Sequence, residues 1–161
     1  MYNQHLQIKP SKIGGNGVFT NIKIPTGIPI IEITGDLYSE KTLPDPNHPA
    51  ILQIGPNLFI GQSGTIDDYI NHSCNPNCYI HIAGQRAILY SLYDIPQGAE
   101  LTFDYSTSST DTLDKWKLDC KCSAYNCRKI ISGFQYLSED LKKQYKEQGI
   151  LPLFITDKIF I

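Results

Sequence analysis

Three thiols lie close together near the C-terminal end of the sequence, Cys120-Lys121-Cys122 followed by Cys127. Thiolates so spaced can hold one soft metal ion, and zinc takes four such ligands in a closed tetrahedral site. The group is one ligand short. The other two cysteines, Cys74 and Cys78, lie far upstream, so a metal completed by either would tie the C-terminal segment back onto the stretch from Asn71 to Cys78. Lys121, Arg128 and Lys129 would offset the surplus negative charge of four thiolates on one divalent ion. The same spacing also suits three buried, reduced cysteines.

Two further stretches could do chemistry. Asn71-His72-Ser73-Cys74-Asn75-Pro76-Asn77 is dense in turn formers and hydrogen-bonding side chains, and by itself it could be a self-satisfied loop in which His72 is structural. Gly14-Gly15-Asn16-Gly17-Val18-Phe19 has glycines that let backbone approach a ligand closely. It lacks the third spaced glycine of a dinucleotide fingerprint, and it also reads as a turn before a strand.

The elements that must position these residues are short strands. From Ile22 to Ile33 the apolar residues are mostly β-branched and are punctuated by Pro25, Gly27 and Pro29, and the texture recurs at Ala50 to Ile60 and Tyr79 to Leu92. Gly55-Pro56-Asn57 predicts a hairpin turn between Leu52-Gln53-Ile54 and Leu58-Phe59-Ile60; Ile95-Pro96-Gln97-Gly98 predicts another before Glu100 to Tyr105. Leu37 to Pro49 reads as an irregular insertion and Ser106 to Thr112 as a Ser/Thr-rich connector. One helix is expected, Ser138 to Gln148. Ser138 is its N-cap, Glu139 and Asp140 suit its positive end, and Gly149 is its stop. Leu141 and Tyr145 share its buried face, with Lys142, Lys143 and Lys146 elsewhere. The apolar stretch from Ile150 to Ile161 should pack on this subunit or a neighbour.

Length and charge narrow the classes. The chain has 161 residues, enough for one compact core. Its net charge of −2 comes without long runs of either sign, and Arg86 and Arg128 are the only arginines, so direct nucleic-acid binding is not expected. The polar start, Met1 to Lys12, does not read as a signal peptide, and no apolar run reaches membrane-spanning length. Five cysteines in a reducing compartment favour metal ligation or free thiols over disulfides.

Taken in order, these stretches resemble the SET-domain family of protein lysine methyltransferases. Ser11 to Phe19 looks like the family's N-terminal cofactor loop, and Asn71 to Asn77 like its central signature. Gly98-Ala99-Glu100-Leu101-Thr102-Phe103-Asp104-Tyr105 is similar to its catalytic strand, and Cys120-x-Cys122 with Cys127 to its post-SET zinc motif. The resemblance spans residues 11 to about 131. One departure stands out: many eukaryotic members carry an Arg three residues before the Asn-His pair, where this chain has Asp68. That and the short segment from Glu32 to Gln62 look more like the compact bacterial, archaeal or viral members.

The resemblance implies a mostly β fold of short strands in several small sheets, with a knot-like C-terminal active site, a zinc-bound post-SET segment and one C-terminal helix. It divides the chain into a SET domain (1–105), a post-SET zinc segment (106–133) and a helix with an apolar tail (134–161). It implies S-adenosylmethionine as methyl donor and a protein lysine as acceptor. Tyr105 would be the catalytic tyrosine, with Phe103 two residues earlier on the same side of a strand, lining the lysine channel. Gly15, Asn16, Gly17, Val18, Asn71 and His72 would bind the cofactor. One structural zinc would sit on Cys74, Cys120, Cys122 and Cys127, leaving Cys78 free and folding Lys117 to Ile131 over the site as a wall of the lysine channel. The implied partner is a protein or peptide with an exposed lysine, a histone or chromatin-like protein among the candidates, with no membrane, in the cytoplasm, nucleoid or nucleus or exported by a specialised route. A catalytically silent module that binds peptide or methyl-lysine is the alternative, with Asp68 in its favour. An unrelated zinc adaptor would leave Tyr105, the glycine loop and the Asn71-His72 pair without a shared explanation.

Overall fold

The computed structural model describes residues 1–45, 48–110 and 116–159. Among them are twelve short strands: β1 Leu6–Pro10, β2 Asn16–Thr20, β3 Pro29–Ile33, β4 Leu37–Tyr38, β5 Leu52–Gly55, β6 Leu58–Ile60, β7 Asn71–His72, β8 Cys78–Ala83, β9 Arg86–Ser91, β10 Thr102–Phe103, β11 Lys117–Asp119 and β12 Ile130–Ser132. They pair into five small sheets, β1-β2, β3-β9-β8, β4-β6-β5, β10-β7 and β11-β12. Residues dense in Pro and Gly keep every strand short, and the chain makes its core by stacking small sheets instead of extending one.

The expected hairpin at Gly55-Pro56-Asn57 joins β5 to β6. The turn at Ile95 to Gly98 forms, with Gly98 at φ 82°, but its flanks do not pair with each other. Ile24 pairs with Ile95, while Gly98 and Leu101 donate to the carbonyls of Thr20 and Val18. β2 is thereby held between β1 and the segment from Gly98 to Leu101. The insertion from Leu37 contributes a strand, β4, to the β4-β6-β5 sheet; Pro46 and Asn47 within it, and Asp111 and Thr112 of the connector, lie outside the described residues.

Val18, Ile24, Ile30, Leu89 and Leu101 are fully enclosed in the main core. A second cluster, Phe134, Leu137, Tyr145, Ile150, Phe154 and Ile155, packs against Tyr79, Ile82 and Leu92. The apolar tail therefore packs on its own subunit as far as it is described, residues 160 and 161 lying outside. It also forms a second short helix, α2 (Leu153–Ile159), where one helix was expected. Its seven residues include β-branched Ile155, Thr156 and Ile159, which gave no helical signal. The main helix, α1 (Glu139–Glu147), is capped as anticipated, with Ser138 Oγ accepting from the Leu141 amide and Gly149 left-handed at φ 66°. Leu141 and Tyr145 both pack on the second cluster as expected, but Lys142 is enclosed as well and pairs with Glu139 at 2.8 Å.

Candidate active site

The Asn71-His72 pair and the catalytic segment meet in a two-residue parallel ladder, Thr102 beside Asn71 and Phe103 beside His72, extended by the Ser73 amide to the Phe103 carbonyl at 3.1 Å. The strand stops at Phe103. Asp104 accepts from the Ser106 amide at 3.0 Å and opens a 3₁₀ turn, Tyr105–Ser108. Phe103 and Tyr105 therefore do not share a strand face as expected; the turn brings their rings to 4.8 Å between centroids. Tyr105 is fixed at both ends, its amide donating to His72 Nδ1 at 3.2 Å and its hydroxyl to the Ile70 carbonyl at 2.7 Å. Burial, and then the nearby Glu100 carboxylate, push the phenol well above its ordinary range. It stays protonated at neutral pH and offers an orienting dipole, not a base.

Two cavities are lined in part by this residue. The first is lined by uncharged groups, among them Ile33, Leu52, Phe59, Ile70, Phe103 and Trp116. The second, the polar cavity by contrast, adds Asn71, His72, Asp119 and Lys121 to apolar Ile13, Leu118 and Ile131 on its walls. Tyr105 and Pro49 line both. Of the glycine loop, Ile13 and Gly14 reach the polar cavity. Gly15 makes the turn at φ 53°, the Asn16 carbonyl accepts from Asn71 Nδ2 at 2.9 Å, and the Val18 side chain is buried in the core, which leaves its backbone as the part that could meet a ligand. Gly17 passes so near Glu100 that a Cβ there would lie 2.1 Å from Oε1. Glu100 clamps the loop, accepting from Ser11 Oγ at 2.9 Å and Asn71 Nδ2 at 2.7 Å.

The thiols converge. Cys74 Sγ lies 3.7 Å from Cys120 Sγ, which lies 3.6 Å from Cys127 Sγ. Cys122 Sγ accepts from the Cys74 amide at 3.5 Å. A tetrahedral zinc with Zn–S bonds of about 2.3 Å has S–S edges of about 3.8 Å, and these two sulfur–sulfur spacings match it. His72, Cys74, Cys120 and Cys122 place their ligand atoms within 4.8 Å of one another, a proximity of His72 that sequence spacing did not reveal. Cys78 is buried apart, its thiol near Asn77 Oδ1. Burial pushes the Cys74 thiol up to about 11. At Cys122 burial raises the thiol too, but amides of Cys74 and Ala124 with neighbouring thiols outweigh it and hold it at about 7.

A SET domain matches residues 15–106 of the chain. The chain belongs to the SET-domain family. Among its relatives are the histone-lysine N-methyltransferase trithorax of Drosophila virilis, 32% identical over 146 residues, and histone-lysine N-methyltransferase 2D of Homo sapiens, 45% identical over 68 residues. The first alignment covers 81% of this chain and 4% of trithorax, the second 40% and 1%; this chain thus spans a small part of those proteins. The crystal structure of KRYPTONITE in complex with mCHH DNA, H3(1-15) peptide and SAH is similar over 79% of this chain and 29% of that one, at TM-score 0.64 and 27% identity.

Outside the matched SET region, the C-terminal segment closes the site. β11 and β12 form a hairpin whose Leu118, Asp119, Lys121 and Ile131 wall the polar cavity. Among the described residues of this segment, Ser108, Ser109 and Trp116 line the uncharged one and none from 117 to 131 does, so the expected wall of the lysine channel faces the other cavity. Arg128 does not spend its charge on the thiolates alone. Its guanidinium grips the enclosed Asp104 carboxylate at 2.8 and 2.7 Å, while its amide points at Cys74 Sγ at 3.4 Å. Tyr145 of α1 donates to the same carboxylate at 2.8 Å. Sequence reading missed Glu100, Asp104, Trp116 and Tyr145 as site residues; the lone tryptophan just ahead of the cysteine motif was the one available signal.

Asp68 also finds its place. Its carboxylate accepts from the amides of Ser63 and Gly64 at 3.0 and 2.6 Å, and buried Asp67 accepts from the Thr34 amide at 2.7 Å. The acidic pair holds the turn that leads into β7, and Asp68 lines neither cavity.

His72 is 3% exposed, and burial, only partly countered by Asp104, holds the imidazole down at about 4, so it is neutral. Asn71 and His72 touch the polar cavity, but the imidazole nitrogens are both directed to protein groups, Nδ1 to the Tyr105 amide and Nε2 to Cys74 Sγ.

Proposed function

We propose that this SET domain transfers a methyl group from S-adenosylmethionine to the side-chain amine of a protein lysine. The observation that carries the reading is the shared wall: Tyr105 lines both an uncharged cavity and a polar one. A lysine has an ordinary pKa of about 10.4 and must be neutral to act as a nucleophile. Ile33, Leu52, Phe59, Phe103 and Trp116 desolvate whatever enters the first cavity, which disfavours an ammonium and favours the amine. The Tyr105 hydroxyl and the Ile70 carbonyl, joined at 2.7 Å, present polar handles where the amine ends, and alignment supplies most of the rate.

The polar cavity suits the methyl donor, a zwitterionic amino acid joined to a nucleoside. Lys121 and Asp119 offer opposite charges, and Asn71 and the Gly14 backbone offer hydrogen-bonding groups. When bound there, the donor supplies an electrophilic methyl on a cationic sulfur. SAH in the KRYPTONITE complex supports this use of the cavity. Cys74, Cys120, Cys122 and Cys127 would hold one structural zinc, a closed site without an open position for water.

Trithorax is named a histone-lysine N-methyltransferase, and the KRYPTONITE complex contains an H3 peptide; both support a histone-like basic tail as substrate. That complex also contains DNA, whereas the net charge of −2 and two arginines here support a protein partner without direct DNA contact. The silent alternative loses its support, since Asp68 serves the turn before β7.

Incubation with labelled S-adenosylmethionine, histone tail peptides and a cell lysate tests the proposal. Label is expected on lysine side chains; label confined to another residue type, or none above a blank, would refute it.

A further inference from the structure

The imidazole of His72 sits between the catalytic tyrosine and the thiol cluster, and its two nitrogens can be assigned. A backbone N–H can only donate, so Nδ1, 3.2 Å from the Tyr105 amide, accepts. A neutral imidazole that accepts at Nδ1 carries its proton on Nε2. That nitrogen lies 3.3 Å from Cys74 Sγ, and the residue is buried. The Asp104 oxygen 3.4 Å from Nδ1 is already met by Arg128 and the Ser106 amide, so it does not call for a proton there.

We propose that His72 donates Nε2–H to the Cys74 thiolate and thereby ties the zinc site to the backbone of Tyr105. The inference rests on the four-thiolate zinc reading above. It gives His72 a positioning role distinct from binding the cofactor, and it excludes His72 as a metal ligand, because a protonated Nε2 has no lone pair to give. The closeness of its ligand atom to those of Cys74, Cys120 and Cys122 is then that of a neighbour behind the metal shell. Cys74 receives a second donor from the Arg128 amide at 3.4 Å. Groups that hydrogen-bond metal ligands orient them, and losing one typically costs about 10- to 100-fold in metal affinity.

Two substitutions separate the contacts. Asn at position 72 places an oxygen near the position of Nδ1 and keeps an acceptor for Tyr105, but it cannot reach the sulfur. Gln reaches the sulfur with an amide N–H and loses the acceptor. In protein exchanged with Co²⁺, the wild type should show the intensity of four thiolates. His72→Asn should keep that intensity, move the sulfur-to-metal charge-transfer band to lower energy and weaken metal binding about 10- to 100-fold. His72→Gln should return the band towards its wild-type position. An unmoved band with unchanged affinity in His72→Asn overturns the inference, as does a wild-type spectrum of three thiolates that loses its nitrogen ligand in that variant. Long-range ¹H–¹⁵N spectra of the zinc-loaded wild type read the tautomer without any substitution, and a proton on Nδ1 overturns it as well. A wild-type chain that binds no metal refutes the zinc reading itself, before any variant is compared.

Discussion

At the scale of single residues, the reading turns on which polar atoms the uncharged cavity contains. Phe103 lines it with a bare ring 4.8 Å from Tyr105. A tyrosine there would put a hydroxyl beside the amine. A hydrogen bond of about 1 kcal/mol that holds a methylated nitrogen away from the donor lowers the productive fraction roughly fivefold. The wild type should therefore run to di- or trimethyllysine on a good peptide, and Phe103→Tyr should stop mainly at monomethyllysine with the first transfer spared. Mass spectrometry at completion reads both; a wild type that halts at one methyl assigns control to another residue. Ordered motifs mark Phe103, Tyr105 and the four cysteines, and the structure brings Phe103 beside Tyr105 and Cys120 beside Cys74 and Cys127. The burial of the Val18 side chain and the contact of His72 with Cys74 were not legible, because a motif names positions without saying where a side chain faces. Glu100 and Asp104 sit inside the catalytic motif, yet their partners Ser11, Asn71, Arg128 and Tyr145 come from distant segments.

Elements were read best where local chemistry decides them. The Ser138 cap and Gly149 stop bracket α1 as expected, and Gly55-Pro56-Asn57 turns β5 into β6. The flanks of the turn at Ile95 to Gly98 pair with Ile24, Thr20 and Val18, a choice that only the tertiary arrangement makes. What joins the C-terminal hairpin to the catalytic turn is equally non-local: the Arg128–Asp104 pair, its carboxylate 1% and its guanidinium 20% exposed. Removing one member of an enclosed pair leaves an uncompensated charge, at a cost of about 3 to 5 kcal/mol. Tyr145 and the Ser106 amide still donate to Asp104, so Arg128→Ala should fall at the low end, about 3 kcal/mol. Urea denaturation measures it. A loss within error of zero would show that the pair does not hold the segment.

Across the whole molecule, the thiol cluster, the polar cavity and Tyr105 form one chain of dependence. Leu118, Asp119, Lys121 and Ile131 belong to the hairpin whose ends the cysteines gather, and on the proposed reading so short a segment would gain most of its folding energy from a metal held there. Chelation should release zinc and abolish calorimetric binding of S-adenosylmethionine, with binding restored by added zinc; unchanged binding in a metal-free chain would separate the two. The small-sheet fold was legible from strand texture and motif order, whereas the two cavities were not, since their walls mix residues from all over the sequence. They meet at Tyr105, and the central claim is that the methyl crosses there. The most direct test compares the wild type with Tyr105→Phe, which removes one hydroxyl and its bond to the Ile70 carbonyl. Calorimetry should give the two chains the same affinity for S-adenosylmethionine while the variant's kcat falls to background. A variant that turns over at the wild-type rate would contradict the account.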